Sequence, residues 1–199
     1  MLKMTGIILA GGKNTRIKTE KGLIQLGNKT IIENTLGIFK KLFSEIIIVT
    51  NNPESYLKFG TRVVEDLVKN KGPLAGIFTG LCFSTNDLNF VVGCDMPFVN
   101  SNLVGYIMSK PKEYDVVIPE INGRLESLFA RYSKYVLPLI LFRLSKNELK
   151  IQDILSELNV LRITKEEVER FDPKHLSFFN INTQKDLKKA LDLFSQDKS

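Results

Sequence analysis

TGIILAGGKNTRIKTEK, residues 5–21, passes from an apolar run through two glycines into a loop with four basic residues, Lys13, Arg16, Lys18 and Lys21. The run TGIILA (5–10) is continuous rather than alternating, the pattern of a strand buried on both faces of a parallel sheet. Gly11 and Gly12 carry no Cβ, so the backbone there can approach an anion closely. Successive N–H groups in such a turn form an anion-binding concavity. Arg16 and Lys21 then offer charge-assisted contacts, and arginine can grip a phosphate with two parallel hydrogen bonds. GxxxxGK[ST] and GxGxxG are both absent, which excludes a P-loop and a dinucleotide fingerprint. The competing reading is a surface turn that is merely basic.

Outward from this loop, strand and helix patterns alternate. TIIENTLGIFKKLF (30–43) places Ile31, Thr35, Ile38 and Leu42 at helical spacing, and EIIIVT (45–50) is a β-branched buried strand. RVVED (62–66) is a strand, and PLAGIFTGLCFS (73–84) is a helix with proline in its first turn. NFVVGCD (89–95) is a strand, SNLVGYIMSK (101–110) a helix and YDVVIPE (114–120) a strand. LSFFNINTQKDLKKALDLF (176–194) reads as a strand and then an amphipathic helix capped by Thr183, and residues 145–175 are the least patterned. Strands separated by helices imply right-handed crossovers and a three-layer α/β/α, Rossmann-like fold around a mostly parallel sheet. The 199 residues suit a single domain, 1–199.

Composition narrows the chemistry. His175 is the only histidine, which excludes a multi-histidine metal site, and Cys82 and Cys94 lack a CxxC partner and read as small core residues of a reducing cytoplasm. MLKMTGIILAGG is too short in its apolar core for a signal peptide, and no run approaches the roughly 18 apolar residues of a membrane span. A cytoplasmic location without membrane contact is expected. The net charge of +6 raises nucleic acid as a partner, but its lysines are scattered and no aromatic-interleaved basic motif is present, so none is expected.

Open parallel sheets bind ligands at the carboxyl ends of their strands, where this chain gathers its unusual residues. Asn51-Asn52 follows the second buried strand, and Glu65-Asp66 ends the third. In VVEDLVKNKGPLAGI the pair Gly72-Pro73 then opens a helix whose free N–H groups make a second cradle, for an anion or a base edge. In FVVGCDMPF, Asp95 follows a strand so apolar that its end lies deep in the crevice, and Met96-Pro97 turns the chain away. A carboxylate there needs a cation, and Mg²⁺ held by one or two carboxylates plus substrate phosphates fits. Basic groups holding a triphosphate and aspartate holding Mg²⁺ suggest attack at the α-phosphate with release of pyrophosphate. That chemistry depends on positioning and charge stabilisation more than on a histidine base.

LAGGKNTRIKTEKGL resembles the LAGGxSxRMGxxKxL signature of nucleotidyltransferases acting on NTPs. VVEDLVKNKGPLAGI followed by VVGCDMPF narrows the resemblance to the molybdenum cofactor guanylyltransferases, and FFNINTQKDL is similar to their F-x-N-x-NT-P-E-D-L ending. The resemblance implies the nucleotidyltransferase fold and transfer of GMP from GTP to the terminal phosphate of molybdopterin, the product passing to a molybdoenzyme or its chaperone. It implies that Leu9, Ala10, Gly11 and Gly12 bind GTP through backbone groups, and that Arg16 and Lys21 neutralise phosphates. Asp66 contacts the guanosine, with Asn51 and Gly72 nearby; Asp95 holds Mg²⁺; and Asn180 and Asn182 face the pterin. The sequence departs from the signature at Asn14, Ile17-Lys18 and Gln184. Two alternatives stay open: a cytidylyltransferase of the same fold, and a non-catalytic adaptor that binds nucleotide and delivers cofactor.

Overall fold

A computed structural model describes residues 2–11 and 20–196. In chain order its strands and α-helices are β1 (Leu2–Leu9), β2 (Gln25–Leu26), β3 (Lys29–Thr30), α1 (Ile31–Leu42), β4 (Phe43–Thr50), β5 (Arg62–Glu65), α2 (Gly72–Phe83), β6 (Leu88–Gly93), α3 (Ser101–Ser109), β7 (Val116–Ile121), β8 (Arg124–Leu125), β9 (Phe129–Ser133), α4 (Leu137–Ser145), α5 (Ile151–Leu155), β10 (Val160–Ile163), α6 (Lys165–Glu169) and α7 (Gln184–Gln196). The main sheet runs β10-β7-β9-β6-β1-β4-β5, with β8 paired to β7. Pairing is parallel except around β9, which lies antiparallel between β6 and β7, and at β8. The mostly parallel three-layer sandwich read from the sequence is the fold observed.

The alternation of side chains along each strand divides the core into two layers. Ile8, Ile48, Phe90 and Val92 face Leu36 and Phe39 of α1 and Leu103 and Ile107 of α3. Ile7, Leu9, Ile47, Val49 and Val91 face Leu74, Ile77 and Leu81 of α2 and Ile140 and Leu144 of α4. Strands covered on both sides in this way have no solvent face, which is why their sequences show no polar alternation. Gly80 brings α2 onto β1: a Cβ at that position would lie 2.5 Å from Ile7 Cγ2, inside contact distance. A third cluster joins the β2–β3 hairpin to α7, through Ile24, Leu26, Ile31, Ile181 and Ala190. At the start of α1, Glu33 N donates to Thr30 Oγ1 at 3.3 Å and Thr30 N to Glu33 Oε2 at 2.7 Å, a reciprocal cap.

Several expectations are corrected. Residues 176–182 are not a strand: Leu176–Phe178 is a single 3₁₀ turn, and the extended residues after it join no ladder. Asp172 draws the turn in by accepting from Leu176 N (3.0 Å) and Ser177 N (2.7 Å). The helix that follows does begin behind Thr183, whose Oγ1 accepts from Asp186 N at 3.2 Å. The strand before Asp95 ends at Gly93, because Met96 N donates to Gly93 O (3.2 Å) and closes a turn. Residues 145–175 supply α5, the edge strand β10 and α6. Cys94 is buried as expected, whereas Cys82 of α2 is exposed.

Candidate active site

Parallel register brings four strand ends to one edge of the sheet. Leu9 pairs with Val49 on one side and with Gly93 on the other, and Thr50 pairs with Glu65. Ala10-Gly11, Asn51-Asn52, Asp66 and Cys94-Asp95 therefore leave the sheet side by side. The ladder extends one residue further, with Ala10 N donating to Val49 O (2.8 Å), Cys94 N to Leu9 O (3.0 Å) and Thr50 Oγ1 to Ala10 O (3.1 Å). The backbone of Leu9 and Ala10 is thus fixed on both flanks at the mouth of the crevice. Gly11 is exposed beside Asn51, whose Nδ2 lies 3.8 Å from where a Gly11 Cβ would be.

Asp95 stands at the third position of the Gly93–Met96 turn, where its side chain is about one-fifth exposed. Lys21 reaches it from the 3₁₀ turn Lys21–Leu23, placing Nζ 3.0 Å from Asp95 Oδ2. The same Nζ donates to Asn182 Oδ1 at 2.5 Å, and Ile181 N donates to Asp95 O at 2.9 Å. Lys21, Asp95 and Asn182 come from three distant parts of the chain and meet at one ammonium group. The turn can settle on the strand end because residue 22 is glycine: a Cβ there would lie 3.3 Å from Cys94 Cβ and 3.1 Å from Tyr56 Oη. Cys94 is no nucleophile, since burial, reinforced by the Asp95 carboxylate, pushes its thiol up to about 12.

The other sequence-derived residues divide by position. Asp66 follows β5 and accepts from Thr79 Oγ1 of α2 (2.8 Å) and Val68 N (3.3 Å), which ties the strand end to the helix. Gly72, with φ +66°, is the first residue of α2, seven residues before the Thr79 that Asp66 contacts. Asn180 turns back on its own segment, donating from Nδ2 to Phe178 O (2.9 Å), and does not join Lys21 as Asn182 does. His175 lies beside Glu169, away from the Lys21–Asp95 pair. Gly12, Arg16 and the departures at Asn14 and Ile17-Lys18 lie outside the described residues.

Sequence reasoning missed a second set of residues that hold the Lys21 turn. Glu20 Oε1 accepts from Asn52 Nδ2 (2.5 Å) and Ser55 Oγ (3.4 Å), so the end of the glycine loop is fastened to the loop after β4. Tyr56, fully buried against Gly22, floors this contact, and burial pushes its phenol above the usual range. The available sequence signal was Asn52-Pro53 at a strand end, a turn signature that says nothing of its partner.

The sequence model described as MobA-like NTP transferase domain matches residues 6–161. The chain belongs to this family. A probable molybdenum cofactor guanylyltransferase from Pelotomaculum thermopropionicum is 38% identical over 190 residues, 96% of this chain and 93% of the relative. Another of that name from Natranaerobius thermophilus is 35% identical over 193 residues, covering 94% of each. The crystal structure of molybdopterin-guanine dinucleotide biosynthesis protein A from Archaeoglobus fulgidus superposes with a TM-score of 0.84 at 29% identity, over 96% of this chain and 99% of that one. The chain is therefore a nucleotidyltransferase of the MobA-like family. Among the described residues no helix is long and apolar enough to cross a membrane.

Proposed function

We propose that this family member transfers GMP from GTP to the terminal phosphate of molybdopterin carrying molybdenum, giving molybdopterin guanine dinucleotide and pyrophosphate. The observation that carries this reading is the Lys21–Asp95 pair, 3.0 Å apart at the junction of β1 and β6, in a chain whose near full-length relatives bear the guanylyltransferase name. An ammonium group and a carboxylate in contact at a partly exposed strand end supply the two charges that a bound triphosphate and its divalent cation require.

In this reading the backbone of Leu9, Ala10, Gly11 and Gly12 cradles the triphosphate, with Arg16 and Lys21 neutralising it. Asp66, Gly72 and Asn51 serve the guanosine on the β4–β5 side. The acceptor enters from the β9 side, near Asn182. An acceptor phosphate oxygen forms a new bond to the α-phosphorus while the bond from that phosphorus to the bridging oxygen of pyrophosphate breaks. The attacking phosphate is already anionic, so no residue need remove a proton. Lys21 acts by holding positive charge against the oxygens on which negative charge grows.

Asp95 would hold Mg²⁺. Among the described residues no three acidic, histidine or cysteine side chains gather into a metal cage. A single carboxylate completed by phosphate oxygens and water is the donor set Mg²⁺ accepts, so the residues fit a cation that arrives with its nucleotide. Bound there, it supplies Lewis-acid neutralisation of the phosphates. A cytoplasmic location, and a molybdoenzyme or its chaperone as recipient of the product, accord with this chemistry.

The test is turnover of Mo-molybdopterin with GTP or CTP, following pyrophosphate release and product mass, with and without chelator. A GMP adduct that is lost on chelation and restored by Mg²⁺ is expected. A CMP adduct alone, or no adduct with either nucleotide, contradicts the proposal.

A further inference from the structure

A lysine head group on four rotatable bonds loses about 2 kcal/mol of side-chain entropy when fixed in one place, so Lys21 stays on target only where its contacts are themselves fixed. One of its contacts, Asp95 Oδ2, sits on a turn braced by β6. The other, Asn182 Oδ1, belongs to an exposed residue on a connector that joins no sheet. Hydrogen bonds at both ends hold that connector. Upstream, Ile181 N donates to Asp95 O at 2.9 Å. Downstream, one carboxylate oxygen, Asp186 Oδ2, accepts from Asn182 N (3.1 Å), Thr183 N (2.8 Å) and Thr183 Oγ1 (2.9 Å). These bonds hold the Asp186 carboxyl below its ordinary range. The helix that carries Asp186 joins, through Ala190, the same apolar cluster as Ile24 and Leu26, directly beyond the Lys21 turn.

We propose, building on the function assigned above, that Asp186 is a positioning residue for Lys21 and acts through Asn182. The carboxylate fixes the Asn182 backbone, the Asn182 amide oxygen fixes Nζ, and Lys21 is thereby held beside Asp95. The bland reading is that Asp186 merely caps α7. The two readings separate because Thr183 contributes to the cap through its hydroxyl but does not contact the Asn182 amide N–H.

The experiment compares Asp186→Ala, Asp186→Asn, Thr183→Ala, Asn182→Ala and the Asp186→Ala/Asn182→Ala double variant. GMP transfer should fall ~fivefold in kcat for Asp186→Ala, with KM for GTP moving less than ~twofold, and Asp186→Asn, which keeps an acceptor oxygen, should recover part of the loss. Adding Asp186→Ala to Asn182→Ala should change kcat by less than ~twofold, because the pathway is already cut. Thr183→Ala, which removes one donor to Asp186 Oδ2 but leaves the Asn182 and Thr183 N–H bonds to it, should lose thermal stability as Asp186→Ala does while losing less than ~twofold in kcat. Independently of turnover, the rate at which an amine-reactive label modifies Lys21, read by mass spectrometry, should rise in Asp186→Ala and Asn182→Ala but not in Thr183→Ala. Additive losses in the double variant, or Lys21 labelling unchanged by Asp186→Ala, overturn the proposal. If Asp186→Ala does not fold, Asp186→Asn carries the same cycle. A wild-type protein without GMP transfer would sink the assigned function, and the labelling rates would then decide this inference by themselves.

Discussion

Two polar clusters sit on the same central strands, about four residues or ~13 Å apart along β1, and they are built differently. At the amino edge, the buried Thr5 hydroxyl contacts Glu45 Oε2 and Ser84 Oγ, each at 2.7 Å, and accepts from Asn86 Nδ2 at 3.0 Å. Glu45 Oε2 also accepts from Thr85 N and Thr85 Oγ1, both at 2.9 Å, while Oε1 faces Arg62 at 3.3 Å. At the carboxyl edge, Lys21 and Asp95 are each about one-fifth exposed, and the Lys21 ammonium spends two of its three donors on Asp95 and Asn182. The amino-edge network turns its hydrogen-bonding capacity inward and closes the bottom of the sheet. Among the described residues, the carboxyl-edge cluster leaves one donor of that ammonium unassigned. Saturation of the network, rather than polarity, separates a structural cluster from a candidate site on one sheet.

Substitutions should therefore act oppositely at the two edges. The largest effect is expected for Asp95→Ala and Lys21→Ala, each lowering kcat for GMP transfer ~100-fold, about 2.7 kcal/mol of barrier. Thermal denaturation should show each within ~1 kcal/mol of wild type, since the pair is partly solvated. At the amino edge, Glu45→Ala should lose ~2 kcal/mol of stability in urea, because the Thr5 and Thr85 donors lose their acceptor. Its kcat per folded molecule should equal wild type. A catalytic defect in Glu45→Ala would erase the distinction between the edges.

A third cluster sharpens the comparison through pH. Burial pushes Glu167 up, but hydrogen bonds from Tyr106, Thr164 N and Lys110 outweigh it and hold the carboxyl at about 2, below its ordinary 4.5. A depressed carboxyl contributes its stability above the unfolded value and loses it as pH falls through the folded one. Unfolding free energy should thus decline between about 4.5 and about 2, with a shallower decline in Glu167→Gln. The smallest effect concerns the two cysteines. A thiol reagent should modify Cys82 in the native protein and leave Cys94 untouched until denaturation, and Cys82→Ser should shift stability by less than ~0.5 kcal/mol.

Strands β1, β4 and β6 were legible because they are largely buried on both faces, and α1, α2 and α3 because they begin at recognisable turns. The antiparallel β9 was not: FARYS is five residues long and carries Arg131 at its centre, fully buried, with Nη1 and Nη2 donating to Lys110 O (2.5 Å) and Pro111 O (2.6 Å). A buried arginine whose partners are carbonyls of another segment breaks the apolar pattern without a local sign of the reason. Residues 176–182 misled in the opposite sense, since their apolar spacing suits a strand while Ile181 N is spent on Asp95 O. At the site, Lys21 and Asp95 were legible as charged residues at glycine-loop and strand-end positions. The contact of Lys21 with Asn182 spans 161 residues, and that of Glu20 with Asn52 spans 32, and neither pairing leaves a mark in local sequence.

The most direct test of a nucleotide site at the carboxyl edge is isothermal titration with GTP and CTP, each with Mg²⁺. The proteins compared are the wild type, Lys21→Ala, Asp66→Ala and Glu45→Ala. Wild type and Glu45→Ala should bind GTP alike and CTP at least ~tenfold more weakly, and Lys21→Ala and Asp66→Ala should each lose at least ~tenfold in GTP affinity, about 1.4 kcal/mol. Equal binding of GTP by all four proteins, or equal binding of GTP and CTP by wild type, would contradict the account.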